Sequence, residues 1–272
     1  MPAESSQDQE RLVTAFKDGA GSSRVDRVAH EEPLEIQVQG ASVAVVMRTP
    51  GHDEELALGF LVTERVVAAP NDVVSIRHCT TVDDPEAEGN IIRVVLRDGV
   101  ELPLERLRRN TYATSSCGIC GKATIEAALS HGPAIEGGLN VSPEVIYLLP
   151  DRLRTSQPTF TTTGGLHAAA LFDDQAVIEL SREDVGRHNA VDKVVGAALK
   201  VGIDPSARGL FVSGRVSFEI VQKAAAFGLP IVAGISAPTS LAVRYGEALG
   251  VTVIGFVRGR SMNVYAHPER IV

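Results

Sequence analysis

A chain of 272 residues, 44% hydrophobic and 22% charged, has ordinary globular composition. It has room for about two domains at roughly 150 residues each and needs no disulfide or metal to bury a core. A net charge of -8 and a pI of about 5.4 argue against a general nucleic-acid surface, because such affinity comes from Lys and Arg neutralising phosphates. With no Trp and only 4% aromatics, base-stacking platforms are not expected either. No apolar run reaches the roughly 18 residues of a membrane helix. The N-terminus has no apolar segment of the secretory kind. A cytoplasmic location without membrane or nucleic-acid partners is therefore expected. Three cysteines then sit in a reducing compartment, where thiols are more often reactive or metal-bound than structural.

In chain order, residues 1–24 lack periodicity and read as a mobile tail. PLEIQVQGASVAVVMRTP (33–50) alternates around Gly40, as a β-hairpin does. Asp53 is placed to cap a helix through LALGFLVTERVV, whose Leu56, Phe60 and Val67 fall at helical spacing. His52 belongs to the same helix start. Val73–His78 and Ile91–Arg97 read as strands, and Asp98-Gly99 as a tight turn. A second helix is expected after Cys120, stopped by Gly132-Pro133. These elements make a small α+β domain over 25–137.

The rhythm then changes. Ser142-Pro143 starts a helix running to about Gln157, with a bend near Pro150. HAAALF and AVIELSRED form strands joined by Asp173-Asp174-Gln175, and GRHNAVDKVVGAALK an amphipathic helix. GLFVSG, LPIVAGIS and VTVIGFV are short apolar runs suited to buried parallel strands, separated by two helices. An α/β domain over 138–272 follows.

The sharpest local motif is Cys117-Gly118-Ile119-Cys120. Spacing alone leaves several readings open. Zinc needs about four ligands and this pair supplies two. A thioredoxin-like redox pair sits more often in a short βαβ unit. A persulfide carrier and an incidental thiol pair complete the set. A helix start, Lys122 and the upstream Arg106, Arg108 and Arg109 favour a low-pKa, nucleophilic thiolate. Cys79 reads as structural.

TSSCGICGKA, together with TPGHDEELALGFLVTE, TTGGLHAAALF, REDVGRHNAVDKVVGAAL, VSGRVSFEIVQKAA, SAPTSLAV and NVYAHPERI, resembles the FdhD family of formate dehydrogenase accessory sulfurtransferases, from about residue 31 onward. The resemblance implies a relay. A cysteine desulfurase loads Cys117 with a persulfide, Cys120 assists or resolves it, and the sulfur passes to a bis-molybdopterin guanine dinucleotide cofactor, of molybdenum or tungsten, before that cofactor enters the formate dehydrogenase catalytic subunit. It also implies a C-terminal mixed-sheet, three-layer domain similar to cytidine deaminase. The deaminase zinc signature is absent, since His167 is followed by Ala168 and Ala169 where the signature has x-Glu. No metal is expected in the chain itself. A homodimer stays open, as do two other functions: a dithiol–disulfide oxidoreductase, or a cofactor chaperone that moves no sulfur.

Ligands of open α/β sheets bind beyond the carboxyl ends of the strands. Three such ends occur here: Ser213-Gly214-Arg215, Ser236 to Ser240, and Phe256 to Ser261. Their hydroxyls, backbone N–H groups and guanidinium groups suit phosphate, although capping serines and solvated arginines would look the same. The resemblance places the guanine dinucleotide on Phe256, Val257, Arg258, Gly259, Arg260 and Ser261, with Asn263 a weaker addition. His167 reads as structural. The polar residues around His188 (Asp184, Arg187, Asn189 and Asp192) suit a structural or a site role equally.

Overall fold

The structure, a computed structural model, describes residues 6–67, 69–79, 88–100 and 134–272. It opens with a hairpin, β1 (Asp8–Lys17) and β2 (Ala20–Ala29), in which Leu12 faces Val25. Residues 8–24, read from the sequence as part of a mobile tail over 1–24, are strand and turn instead. The two-residue turn is Asp18-Gly19, both at positive φ, and Asp-Gly is the pair such a turn favours. The Asp8 carboxylate holds the Arg27 guanidinium at 2.6 Å. Gln7 fixes the base of the hairpin: its carbonyl accepts from His30 N–H at 2.9 Å and its side chain accepts from the Thr159 hydroxyl at 2.7 Å.

The first module is a four-stranded sheet in the order β4-β3-β6-β5, from β3 (Glu32–Val38), β4 (Ala41–Arg48), β5 (Val73–His78) and β6 (Ile91–Leu96). Alternation puts Leu34, Ile36, Val38, Ile92, Val94 and Leu96 on one face, where they pack against α1 (Asp53–Thr63). The cap of α1 differs from expectation. His52, at φ 60, is the capping position, and Asp53 is the first helical residue. Asp53 is drawn away by Arg48, whose buried guanidinium bonds both of its oxygens, at 3.1 and 2.9 Å.

The second module is a six-stranded mixed sheet in the order β12-β11-β10-β9-β7-β8. Its strands are β7 (His167–Phe172), β8 (Ile178–Asp184), β9 (Gly209–Val212), β10 (Ile231–Gly234), β11 (Thr252–Arg258) and β12 (Ser261–Ala266). β9, β10 and β11 are parallel, while β7 and β12 run antiparallel to their neighbours. All four residues of β9 and of β10 are buried, as strands covered on both faces require. On one face lies α2 (Pro143–Thr155), whose Ile146, Leu149 and Leu153 meet Ala170, Phe211 and Ile254. On the other lie α4 (Arg187–Val201), α5 (Phe218–Phe227) and α6 (Ser240–Leu249). The result is the three-layer α/β arrangement expected. α2 ends before Gln157, and a short α3 (Pro158–Thr163) follows. Pro158 biases the residue before it away from helical ψ, and Gln157 sits at φ -116, ψ 67.

The modules meet where α1 crosses α4, and two glycines permit the contact. A Cβ at Gly59 would fall on the carbonyl oxygen of Asp192, and one at Gly196 on that of Glu55. Buried charge flanks this crossing. Lys193 Nζ lies 2.7 Å from Asp184 and donates to the Thr49 carbonyl at 2.7 Å, while Thr49 N–H donates back to Asp184 at 3.1 Å. Arg182 forms a two-point pair with Glu55, at 2.6 and 2.8 Å. Lys223 meets Asp192 at 2.9 Å, Glu64 at 2.6 Å and the Thr63 hydroxyl at 3.0 Å. No helix among the described residues is long and apolar enough to cross a membrane.

Candidate functional site

Strand directions decide where functional groups collect. The carboxyl ends of β8, β9, β10 and β11 and the amino end of antiparallel β7 lie along one edge of the sheet. That edge gathers His167, Arg187, His188, Ser213, Arg215, Ser236 and the Phe256 segment, so the three loops singled out in the sequence share one rim. The cysteine pair, Cys117 and Cys120, lies outside the described residues, as do Lys122 and Arg106, Arg108 and Arg109. Cys79 is described and is buried.

At the rim, Ser213 Oγ accepts from Ala168 N–H at 2.9 Å and ties β9 to the start of β7. His167 and Arg187 close on Gly214: a Cβ there would sit 3.4 Å from His167 Nδ1 and 3.9 Å from Arg187 Cδ. Arg187 Nε is buried and has no hydrogen-bond partner among the described residues. The same helix start has Gly186 at its cap with no side-chain bond, and Ser217 at the cap of α5 makes none either. Two helix N-termini thus present free N–H groups beside an unpaired guanidinium, a combination that attracts an anion. Burial and the Arg187 charge hold His167 below the ordinary histidine range. Burial first, then Arg187 and Lys223, push His188 down to about 4. Both imidazoles are neutral at pH 7, and His188 Nε2 lies 3.4 Å from Ser217 Oγ. The other polar residues around His188 are committed elsewhere. Asp184 and Asn189 bind the first module through Thr49, just after β4, and the carbonyl of Met47 near the end of β4, and Asp192 binds Lys223.

Phe256 to Ser261 forms the β11–β12 hairpin end. Phe256 has φ 55, a left-handed backbone that a bulky residue rarely adopts, and it coincides with a register shift between Gly255 and Arg258. The bulge turns Phe256 outward, 38% exposed, with Arg258 over its ring at 6.0 Å. Val257 goes the other way into the core, so only its backbone reaches the rim. Arg258 Nε donates to the Ile235 carbonyl at 3.4 Å, and Arg260 reaches α2 at Glu144, 3.1 Å, and the Tyr147 ring, 5.4 Å. Gly259 and Ser261 are exposed in the turn. Asn263 is exposed and donates to the Tyr265 hydroxyl at 3.3 Å.

Beside this hairpin, between the carboxyl half of α2, α3 and the rim, lies a cavity of about 550 Å³. Asp151, Arg154, Gln157, Phe160, His167 and Ile235 are among its walls. Sequence reasoning passed over Gln157 as a helix end. Only the tertiary fold shows that it is 5% exposed and lines a cavity. Among the described residues no group of His, Cys, Asp and Glu is arranged to hold a metal ion.

The sequence profile described as the FdhD/NarQ family matches residues 29–272. A sulfur carrier protein FdhD of Streptomyces coelicolor is 49% identical over 97% of this chain and 95% of its own length. A sulfur carrier protein FdhD of Mycolicibacterium paratuberculosis is 47% identical over 96% of this chain and 97% of its own length. A crystal structure from Desulfotalea psychrophila, described as a formate dehydrogenase accessory protein, superposes with a TM-score of 0.78 at 22% identity, covering 98% of this chain and 100% of that one, a likeness of fold.

Proposed function

The chain belongs to the FdhD/NarQ family, and from that membership we propose that it is a sulfur carrier serving formate dehydrogenase, with a molybdopterin guanine dinucleotide as its cargo at the strand-end rim. The observation that carries the rim's part is Arg187: a buried guanidinium nitrogen without a partner, on the first residue of α4, whose cap, like that of α5, makes no side-chain bond. Desolvating a charged donor without pairing it costs several kcal/mol, roughly. A phosphate oxygen would offset that cost. The outward Phe256 and the exposed Arg258 and Arg260 extend the same surface, on which Gly259 and Ser261 offer backbone and hydroxyl groups at the turn. Val257 supports it from the core.

The sulfur chemistry falls to the cysteine pair. The Cys117 thiolate attacks the terminal sulfur of a cysteine desulfurase persulfide, and the desulfurase cysteine leaves as thiolate. Cys117 then carries the persulfide. Attack by the Cys120 thiolate on Cys117 Sγ forms the Cys117–Cys120 disulfide and expels the outer sulfur as hydrosulfide for the cargo's metal. A cellular thiol reductant restores the dithiol. The chain's own rim residues bind and orient the cargo.

Incubation of the full chain with a cysteine desulfurase and cysteine, followed by intact-mass and peptide mapping, tests the reading. One added sulfur on the peptide bearing Cys117, absent in Cys117→Ala, is the expected result. Unchanged loading in Cys117→Ala overturns the assignment. Cofactor binding without any sulfur loading favours the chaperone reading. A stable dithiol–disulfide couple that exchanges electrons but accepts no sulfur favours the oxidoreductase.

A further inference from the structure

The cavity beside the rim contains a group that the fold itself leaves unused. Gln157 is 5% exposed, and its backbone is fully employed: its N–H donates to the Arg154 carbonyl at 3.4 Å, and its carbonyl accepts from Thr161 N–H at 3.1 Å. Its side-chain amide makes no hydrogen bond within the described residues and faces the cavity. The rest of the residue is packed away, so the amide is accessible only through this pocket, and a ligand filling the pocket must satisfy it. Nothing in the packing of α2 on the sheet requires an amide here, since Leu153 and Leu149 supply that contact.

The neighbours specify what could satisfy it. The amide presents an acceptor and a donor side by side. Asp151 adds a carboxylate acceptor and Arg154 a guanidinium donor, and neither is paired within the described residues. Phe160 gives an aromatic wall, and Leu166 and Ile235 give apolar ones. The pocket is half open to solvent, and its volume of about 550 Å³ is large enough for a heterocyclic ring. Two acceptors beside two donors match a planar ring whose edge carries a carbonyl, an adjacent ring N–H and an amino group. Adenine has no carbonyl and matches less well.

We propose that Gln157 is a specificity-determining residue, which reads the lactam edge of a planar amino-oxo heterocycle held in this cavity. The assignment rests on the cargo reading above and deepens it. Such an edge occurs on both a guanine and a pterin, and the two are separated by the test. The Arg258–Ile235 contact places the cavity next to the Phe256 hairpin, so a heterocycle inside it can be joined to phosphates lying along the rim.

The test is isothermal titration of the full chain with guanosine diphosphate, adenosine diphosphate and free pterin, for wild type, Gln157→Leu, Gln157→Glu and Arg258→Ala. Wild type is expected to favour guanosine diphosphate over adenosine diphosphate at least tenfold, or to bind pterin. Gln157→Leu and Gln157→Glu lose at least tenfold toward whichever of the two occupies the cavity, with the melting temperature unchanged within a few degrees. Loss for guanosine diphosphate places the guanine end there, and loss for pterin alone places the pterin end there. Arg258→Ala weakens both nucleotides alike. Guanosine diphosphate binding that falls in Arg258→Ala, with both Gln157 variants indistinguishable from wild type for both ligands, overturns the Gln157 assignment and leaves the rim reading standing. A wild type that binds neither guanosine diphosphate nor pterin overturns both.

Discussion

The cations of the module seam and those of the strand-end rim have opposite fates. At the seam, Arg48, Arg182, Lys193 and Lys223 are each held by one or more carboxylates at 2.6 to 2.9 Å. At the rim, Arg187 keeps a buried nitrogen without a partner, Arg258 reaches a backbone carbonyl at 3.4 Å and the Phe256 ring rather than a carboxylate, and Arg260 meets Glu144 in an ion pair open to solvent. The same residue types therefore do two jobs. Paired cations fix how α1 and the β4–α1 loop sit on α4, whereas unpaired cations remain available to something that is not part of the chain. Buried pairs add little net stability over apolar packing, but losing one member leaves the other stranded.

That contrast predicts its largest effect at Lys193. Lys193→Met leaves Asp184 fully buried without its cation, and roughly 3–5 kcal/mol of unfolding free energy should disappear. Urea denaturation followed by circular dichroism measures this. Adding Asp184→Asn to Lys193→Met should recover part of the loss. A Lys193→Met protein as stable as wild type would mean that the seam does not depend on this pair.

Next in size is Gly59→Ala. The new methyl meets a backbone carbonyl, which cannot rotate away, so α1 must lift from α4. Overpacking of this kind costs about 1–3 kcal/mol or more. The melting temperature should fall by several degrees, while Gly40→Ala, with open space around its Cβ and φ +81, reports only backbone strain.

The acid limb sharpens the comparison further. Burial works against the Glu55 charge, but the hydrogen bonds and charge of Arg182, with help from His52, hold its pKa down to about 2. Its folded value lies below its unfolded one. Its contribution is therefore complete above about pH 4.5 and fades as the pH falls toward 2. The stability gap between wild type and Glu55→Gln should close over that window. A gap that stays constant from pH 6 to 2 would show that Arg182 does not favour the ionised form.

How far the sequence reveals this contrast depends on the scale of each signal. Short apolar runs such as GLFV and IVAG announce the buried parallel strands, and alternation around Gly40 announces the β3–β4 hairpin, because both are local patterns. The Asp18-Gly19 turn was equally local. It was obscured because the strands beside it are mostly polar and exposed and so lack an alternating apolar face. The sequence shows polar density around His188 but not its division. Whether Asp184, Arg187 and Asp192 are paired depends on Thr49, Gly214 and Lys223, residues up to 135 positions away. Gln157 has no sequence signal beyond the proline after it. Its meaning comes from a cavity formed by α2, α3 and the ends of β7, β9 and β10.

The smallest stability effect is expected at the rim, where it is the most informative. Arg215 is exposed and unpaired, and Arg215→Ala should change unfolding free energy by less than about 0.5 kcal/mol. Arg187→Ala removes a stranded buried donor, so its stability should hold or rise slightly. Both should weaken binding of a phosphate-bearing ligand, several-fold for Arg215 and more for Arg187, whose nitrogen is shielded from solvent. His188 gives an independent readout. Its imidazole titrates near 4 in the free chain, because burial and the Arg187 and Lys223 charges oppose protonation. An anion bound beside it favours the protonated form, so its midpoint, followed by NMR of the ring, should move upward on adding pyrophosphate and should not move in Arg187→Ala. A midpoint near 6.5 in the free chain, or one indifferent to pyrophosphate, would show that the unpaired rim cations are not gathered on an anion, and the division between seam and rim would lose its functional meaning.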